Sequence, residues 1–158
     1  MKKAIIILAA VAVIVLLFVF TGHIQIGNTI HGQYYDSPPE AYQKYEDTNL
    51  NDNADKLTID LTDNDAVWIA EIDGGIQLVQ MKKDNNKYAS LGNIDYIENE
   101  KQLSSDEIHK FTLTSNDKAT FILTKDNKAE KQLKNKGYKV QGFYSNIFKK
   151  NINVFYKF

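Results

Sequence analysis

The sequence predicts an α+β protein: a single N-terminal transmembrane helix, then a small, mainly antiparallel β-sheet domain with one or two packed helices. Three observations predict it. Residues Ala4 to Phe20 form an unbroken apolar run behind two lysines. From residue 56 to residue 91, apolar and polar side chains alternate between clusters of turn residues, which is the pattern of β-strands. Two other segments, beginning near residues 37 and 126, carry helix-capping residues instead.

The run from Ala4 to Phe20 is interpreted as an uncleaved membrane anchor. Its seventeen residues span about 26 Å as a helix, and the residues that follow can extend the span toward the ~30 Å of the hydrocarbon core. A cleaved signal peptide is the competing interpretation, but no small-residue cleavage site follows Phe20. Lysines precede the run and none directly follows it, which predicts a cytoplasmic N-terminus. We therefore expect an anchor over 1–22, a linker over 23–36 and an extracytoplasmic α+β domain over 37–158.

Composition restricts what the domain can do. The chain has no Cys and no Arg, which excludes disulfides, thiolate metal sites and bidentate recognition of phosphate by arginine. All twenty acidic residues lie between Asp36 and Glu130, whereas residues 131–158 carry seven Lys and no acid. This asymmetry favours either a basic face for a polyanion or a basic segment that folds against the acidic part.

The first helix of the domain is predicted to begin at Pro38 and to end near Glu46. Ser37 is suited to accept from an exposed backbone amide, Pro38 suits the first helical position, and Glu40 completes a capping box. The Asn- and Asp-rich segment 47–55 follows. Its side-chain oxygens are of the kind that Ca²⁺ binds, but it lacks the glycine and the final Glu of an EF-hand loop. A polar loop is the better interpretation.

The segment Ser37-Pro38-Pro39-Glu40-Ala41 opens a short helix soon after an N-terminal anchor. With this layout it resembles many small, uncharacterised extracytoplasmic proteins of low-GC Gram-positive bacteria. The resemblance covers these five residues and the general layout, and Pro39 stands where those proteins often have Glu. It implies a location outside the cytoplasmic membrane and a small β-rich domain, and it implies no activity.

A meander of four strands is predicted next. Leu57, Ile59 and Leu61 alternate with polar residues, as in a strand with one solvent-exposed face. The segment Ala66 to Ile72 is apolar on both faces, which is typical of a buried central strand. Asp73-Gly74-Gly75 supplies the positive-φ residues of a tight hairpin. The remaining strands are predicted over Ile76–Lys82 and Lys87–Leu91, and residues 93–103 stay unassigned.

The rest of the chain is predicted to contain a hairpin, a helix and two final strands. The hairpin is expected from Lys110 to Thr124, with its turn at residues 115–118. Asp126 is the predicted N-cap of the helix. Several lysines occupy its last turn, and Gly137 suits the position directly after the helix. The final strands are predicted over Tyr138–Tyr144 and Asn151–Phe158.

No catalytic, cofactor-binding or metal-binding residue is predicted, and no cofactor is expected. The sequence has no nucleophile motif and no glycine loop that would hold a phosphate. His23 and His31 lie in the predicted linker and His109 is remote from both. Because no pair has metal-ligand spacing, all three histidines are expected to be solvated.

The one site-like feature is the C-terminal stretch, in which aromatic residues interleave with lysines. Lysines and aromatics together can hold phosphate polymers or an anionic lipid surface. The alternative is that the aromatics pack in the core while the lysines protect an edge strand. The residues predicted to bind a polyanion are Lys149, Lys150 and Lys157.

The leading functional hypothesis is a non-enzymatic binding or structural role at the bacterial cell envelope. The anchor would hold the domain at the membrane, where it contacts an envelope protein or an anionic wall polymer; nucleic acid is not an expected partner. Two other classes stay open. One is a small extracytoplasmic hydrolase that acts through carboxylates, although the sequence does not select the pair. The other is an immunity-type protein that protects the envelope from a toxin.

Overall fold

The fold was analysed in a computed structural model, which describes residues 33–104 and 107–158. The predicted anchor, Ala4 to Phe20, and the predicted linker up to residue 32 lie outside the described residues. Within the two described ranges, no helix has the length and apolar character needed to cross a membrane.

The described residues form two α-helices and eight strands, with two short 3₁₀ turns. The helices are α1 (Pro38–Glu46) and α2 (Glu130–Asn135). The first four strands are β1 (Asp55–Asp60), β2 (Asp65–Ile72), β3 (Gly75–Asp84) and β4 (Lys87–Ile97). The last four strands are β5 (His109–Thr112), β6 (Lys118–Thr124), β7 (Lys139–Ser145) and β8 (Lys150–Lys157). The 3₁₀ turns are Glu100–Gln102 and Asn127–Ala129.

The strands form two antiparallel sheets that pack face to face. Strands β1 to β4 make sheet I as a meander, and sheet II has the order β5-β6-β8-β7. One cluster of buried side chains draws on both sheets, while α1 covers the outer face of sheet I and α2 that of sheet II. The predicted small antiparallel β-sheet domain with packed helices is confirmed. Its division into two sheets goes beyond the prediction.

Strand β2 illustrates how the sequence pattern produces these layers. Val67 and Ile69 lie in the core between the sheets, whereas Trp68 lies on the opposite face, beneath α1. Tyr42 of α1 packs on Trp68 with the ring centroids 5.4 Å apart, and the indole N–H donates to Asp55 over 2.8 Å. Both faces of β2 are apolar because both are covered, which confirms the predicted central strand.

The two helices follow their capping residues to different degrees. Helix α1 has the predicted bounds and the predicted N-cap: Ser37 Oγ accepts the amide of Glu40 at 3.4 Å. Helix α2 begins later than predicted, because Asp126 instead caps the preceding 3₁₀ turn by accepting the Lys128 amide at 2.8 Å. Gly137 has φ +83°, the left-handed conformation expected just after a helix end.

Strand β4 is longer than its predicted end at Leu91 and includes part of the segment left unassigned. Its pairing with β3 shifts register twice, so that Leu91 and Ile94 have no direct partner on β3. Each extra residue is a β-bulge, and the residues after it point to the opposite face of the sheet from the one that simple alternation predicts. The period-two pattern is therefore lost after Leu91 although the strand continues to Ile97.

Two buried carboxylates on β2 fasten sheet I to turns of sheet II. Asp65 is only 1% exposed and accepts both the amide of Thr114, at 2.9 Å, and its hydroxyl, at 2.8 Å. Thr114 belongs to the β5–β6 turn. Thr62 donates a further hydroxyl to Asp65 at 3.0 Å. Because charged hydrogen bonds are the stronger ones, Asp65 anchors one end of the sandwich.

Glu71 makes the matching connection about 20 Å away, six residues further along β2. Its side chain is 5% exposed and forms an ion pair of 3.0 Å with Lys56 of β1, whose side chain is 9% exposed. The carboxylate also accepts the Ser145 hydroxyl at 2.5 Å and the amides of Asn146 and Ile147 at 3.2 and 3.3 Å. Ser145 ends β7, and Asn146 and Ile147 begin the β7–β8 turn, which Glu71 thereby holds against sheet I. We call this set of contacts the Glu71 clasp.

Replacing Glu71 with Ala is expected to lower the free energy of unfolding by about 3 to 5 kcal/mol, since it leaves the buried Lys56 ammonium without its counter-charge. Urea denaturation followed by the fluorescence of Trp68, the one tryptophan in the chain, measures the change. Converting both Glu71 and Lys56 to Met should recover part of the loss. Glu98→Ala, which changes an exposed acid at the same end, is the control; an equal effect of Glu98→Ala and Glu71→Ala would contradict the clasp.

Candidate functional site

The structure places the predicted polyanion-binding lysines at opposite ends of β8. Lys149 and Lys150 lie where the β7–β8 turn enters the strand, and Lys157 is its last residue. Seven residues of strand separate Lys150 from Lys157 by about 23 Å. Lys157 Nζ donates to the carbonyl of Lys136 at the end of α2, at 3.2 Å. Lys149 and Lys150 are neighbours in the chain, and the fold leaves Lys157 apart from them.

The β7–β8 turn that carries Lys149 and Lys150 has a fixed shape. Ser145 Oγ, which donates to Glu71, also accepts the amide of Phe148 at 3.0 Å. Lys149 itself has φ +53°, a left-handed conformation that lets the chain reverse into β8. Since the Glu71 clasp and this internal bond both hold the turn, they also set the backbone positions of the two lysines.

The strand order of sheet II adds two further lysines to this end of the sandwich. Strands β6 and β8 are antiparallel neighbours, with Thr124 opposite Asn153, so the residues that leave β6 lie beside those that enter β8. An open cavity of about 590 Å³ lies between them. We call it the lysine cavity; its lining residues are Lys125, Asp126, Lys128, Lys150 and Asn151.

Glu100, in the first 3₁₀ turn, supplies the counter-charge for two of these lysines. The ammonium groups of Lys125 and Lys150 both donate to the same carboxylate oxygen of Glu100, Oε1. The hydrogen bonds from Lys125 and Lys150 lower the pKa of Glu100 to about 2, so that the carboxylate is ionised at neutral pH. All three side chains are 38 to 44% exposed, and solvent therefore screens the pairs.

Lys128 is not part of this ion-paired group, although it lines the same cavity. Counting the cavity lining together with Glu100, three lysines face two carboxylates. The local charge is therefore positive but small. A ligand with several negative charges would gain more here than one with a single charge, because it can contact several of these ammonium groups at once.

The sequence analysis missed Lys125, Lys128 and Glu100. Lys125 and Lys128 follow β6 directly, and their positions beside a predicted strand end were visible in the sequence. What was not visible is that β8, and not β7, is the neighbour of β6. Glu100 lies in the segment that the bulges of β4 left unassigned, and it is 50 residues from Lys150 in the chain.

The aromatic residues of the C-terminal stretch are mostly structural. Phe155 and Tyr156 are buried on opposite faces of β8, and Phe143 and Phe148 pack against the core between the sheets. Core packing of the aromatics was the alternative to a lysine and aromatic site, and it accounts for these four residues. The lining residues of the cavity include no aromatic side chain, although the exposed Tyr144 lies opposite Asn151 on the neighbouring strand.

His109 is buried, which contradicts the expectation that it is solvated. It lies opposite Phe121 on the core-facing side of β5, and its side chain is 4% exposed. Its Nδ1 lies 2.5 Å from a carboxylate oxygen of Asp95 on β4, which joins the edges of the two sheets. Within the described part of the chain, its Nε2 has no hydrogen-bond partner. His23 and His31 lie outside the described residues.

The two buried carboxylates of β2 are too far apart to act as a pair, and no metal centre emerges from the described residues. The two buried carboxylates, Asp65 and Glu71, are about 20 Å apart along β2, whereas paired glycosidase carboxylates lie within about 10 Å. No group of three or more His, Cys, Asp or Glu side chains that could hold a metal ion is found in residues 33–104 and 107–158. Comparisons of the chain with protein-family models, curated proteins and solved structures gave no match.

The pKa of Glu100 is expected to rise toward its ordinary value when Lys150 is replaced with Gln, because one of its two ammonium donors is lost. Carboxyl ¹³C shifts recorded against pH measure the midpoint, expected at about 2 in the native chain. Since folding lowers this pKa, the ion pairs stabilise the fold above the ordinary value and lose that effect as the pH falls toward 2. Lys157→Gln should leave the midpoint unchanged; an equal rise in both variants would contradict the assignment.

Proposed function

We propose that this protein is a membrane-anchored, extracytoplasmic binding protein of the bacterial cell envelope, and that its lysine cavity holds an anionic wall polymer. The role is one of attachment, without catalysis. The predicted N-terminal anchor supports the location. The observation that carries the binding proposal is the convergence of Lys125, Lys128 and Lys150 on one open cavity.

Lysine ammonium groups suit a flexible polymer of phosphodiesters. Each is a compact charge on a long, mobile stem and can follow a phosphate without a fixed geometry, in contrast to the planar fork of arginine. The chain has no arginine, so lysine is the side chain by which it can offer a permanent positive charge to a phosphate. A repeating anion can also contact several lysines at once, which raises the apparent affinity of individually weak contacts.

The position of the cavity favours a wall polymer over the lipids of the anchoring membrane. The chain enters the domain at Tyr35, whose amide and carbonyl pair with Tyr88 at 2.8 Å. Tyr88 is beside the β3–β4 turn, at one end of the sandwich, while Glu100 and the lysine cavity are at the other. Strand β3, which runs ten residues between these ends, is about 33 Å long. The cavity thus lies on the far side of the domain from the point of tethering.

Replacing Lys125, Lys128 and Lys150 together with Gln is expected to weaken binding to poly(glycerol phosphate) about tenfold at low salt, since each exposed ion pair contributes up to about 1 kcal/mol. It should also flatten the dependence of the binding constant on salt, because fewer counterions are released. Calorimetric titration of the full chain in a nonionic detergent measures both quantities.

The matched control is Lys157→Gln, which removes one positive charge from the opposite end of β8 and should leave the affinity within about twofold. Equal losses in Lys157→Gln and Lys150→Gln single variants would show that net charge, and not the cavity, decides binding. Tighter binding to vesicles that contain phosphatidylglycerol than to the polymer would assign the lysines to lipid headgroups instead.

The location is tested separately by a reporter enzyme that is active only outside the cytoplasm, fused after Phe158. The anchor with lysines on its N-terminal side predicts an active fusion. Deleting residues 4–20 should abolish the activity, because the domain would then stay in the cytoplasm. If this fusion is inactive, and a second fusion to a reporter that works only in the cytoplasm is active, the envelope location is overturned.

A further inference from the structure

We infer that Glu100 is an internal competitor in the lysine cavity: its carboxylate occupies the place that an anionic group of the ligand takes, and a multiply charged anion must displace it. This inference rests on the proposed function, which it deepens by naming how the site selects its ligand. Under this scheme the free protein already contains a mimic of one bound anion.

The geometry that supports this role is the sharing of one oxygen. Lys125 directly follows β6 and Lys150 begins β8, yet the ammonium groups of both donate to Oε1 of Glu100. Two cations that converge on one anionic oxygen form the arrangement that a phosphate oxygen would also satisfy. The second carboxylate oxygen of Glu100 accepts from neither of these two lysines in these contacts, which leaves the group held by one atom.

Glu100 keeps its position through contacts that do not involve the lysines. Gln102 Oε1 accepts the amides of Glu98 and Asn99 at 2.9 and 3.0 Å, and Asn99 Oδ1 accepts the amide of Lys101 at 3.1 Å. These bonds form a capping box around the 3₁₀ turn. These contacts hold the turn independently of the ion pairs, so removal of the Glu100 charge should not disturb the fold.

A tethered carboxylate rejects small anions more strongly than polymeric ones. A group on the same chain competes at an effective concentration in the millimolar range without loss of translational freedom. A monovalent anion offers no more charge than Glu100 and must also lose that freedom on binding. A phosphate polymer makes further contacts, for example with Lys128, and these can drive the exchange.

Exchange also has a consequence for the salt dependence of binding. When polymer displaces Glu100, one carboxylate is released that must recruit its own counterion. The native chain should therefore release about one counterion fewer than a chain without this charge. The low pKa of Glu100 keeps the competitor charged throughout the physiological range, so this difference does not depend on pH near neutrality.

The test compares Glu100→Gln with Glu98→Gln in the full chain in nonionic detergent. Both variants remove one negative charge from the same segment, but only Glu100 contacts the cavity lysines. Titration with poly(glycerol phosphate) and with dimethyl phosphate, a monovalent phosphodiester that serves as the monomer, gives the affinities. Glu100→Gln is expected to bind the polymer roughly threefold to fivefold more tightly, to steepen the salt dependence by about one unit, and to gain measurable binding of the monomer.

The outcomes separate this inference from the proposed function. If the native chain binds the polymer and both variants bind it equally, the competitor role of Glu100 is overturned while the proposed function stands. Binding by Glu100→Gln alone supports the competitor role but overturns polymer binding by the native cavity. If no form of the chain binds polymer or monomer, both are overturned.

Discussion

The Glu71 clasp is the contact on which the rest of this domain depends. A carboxylate that is almost fully removed from water is tolerated only when every lone pair has a donor. Glu71 meets this condition with Lys56 of its own sheet and three donors at the end of β7 and in the β7–β8 turn. Because an unpaired Glu71 carboxylate would be unfavourable, that turn is held in one position against sheet I. Apolar packing is not directional and does not fix a position in this way.

Asp65 provides the same constraint at the other end of β2. Together the two carboxylates fix both ends of the central strand of sheet I to turns of sheet II, with the apolar core between them. The contact between His109 Nδ1 and the Asp95 carboxylate joins the sheet edges at β4 and β5. The polar contacts thus set how the two sheets align, while the buried aliphatic and aromatic side chains supply most of the driving force.

The strand order of sheet II brings together the lysines that line the cavity. Because β8 lies between β6 and β7, the chain crosses from β6 through α2 to a parallel β7 and then returns. This return places the start of β8 next to the end of β6, where Lys150 meets Lys125. Lys150 of the basic C-terminal segment pairs with the acidic part through Glu100. Lys125 and Lys128, which precede that segment in the chain, supply the other positive charges of the cavity.

The sequence by itself determined the local structure: the helix that Ser37 caps, the strand that is apolar on both faces around Trp68, the turn glycines and the final strand with Val154 in its core-facing row. Each of these depends on residues within a few positions of one another, so periodicity and capping rules are sufficient.

The division into two sheets, the burial of His109 and the lysine cavity were decided only by the tertiary structure. The partners that build them are far apart in the chain, 74 residues for Glu71 with Ser145 and 25 for Glu100 with Lys125, and two bulges in β4 hide the strand that leads to Glu100. A local pattern carries no information on which strand becomes the neighbour of which, because that choice depends on the packing of the whole core.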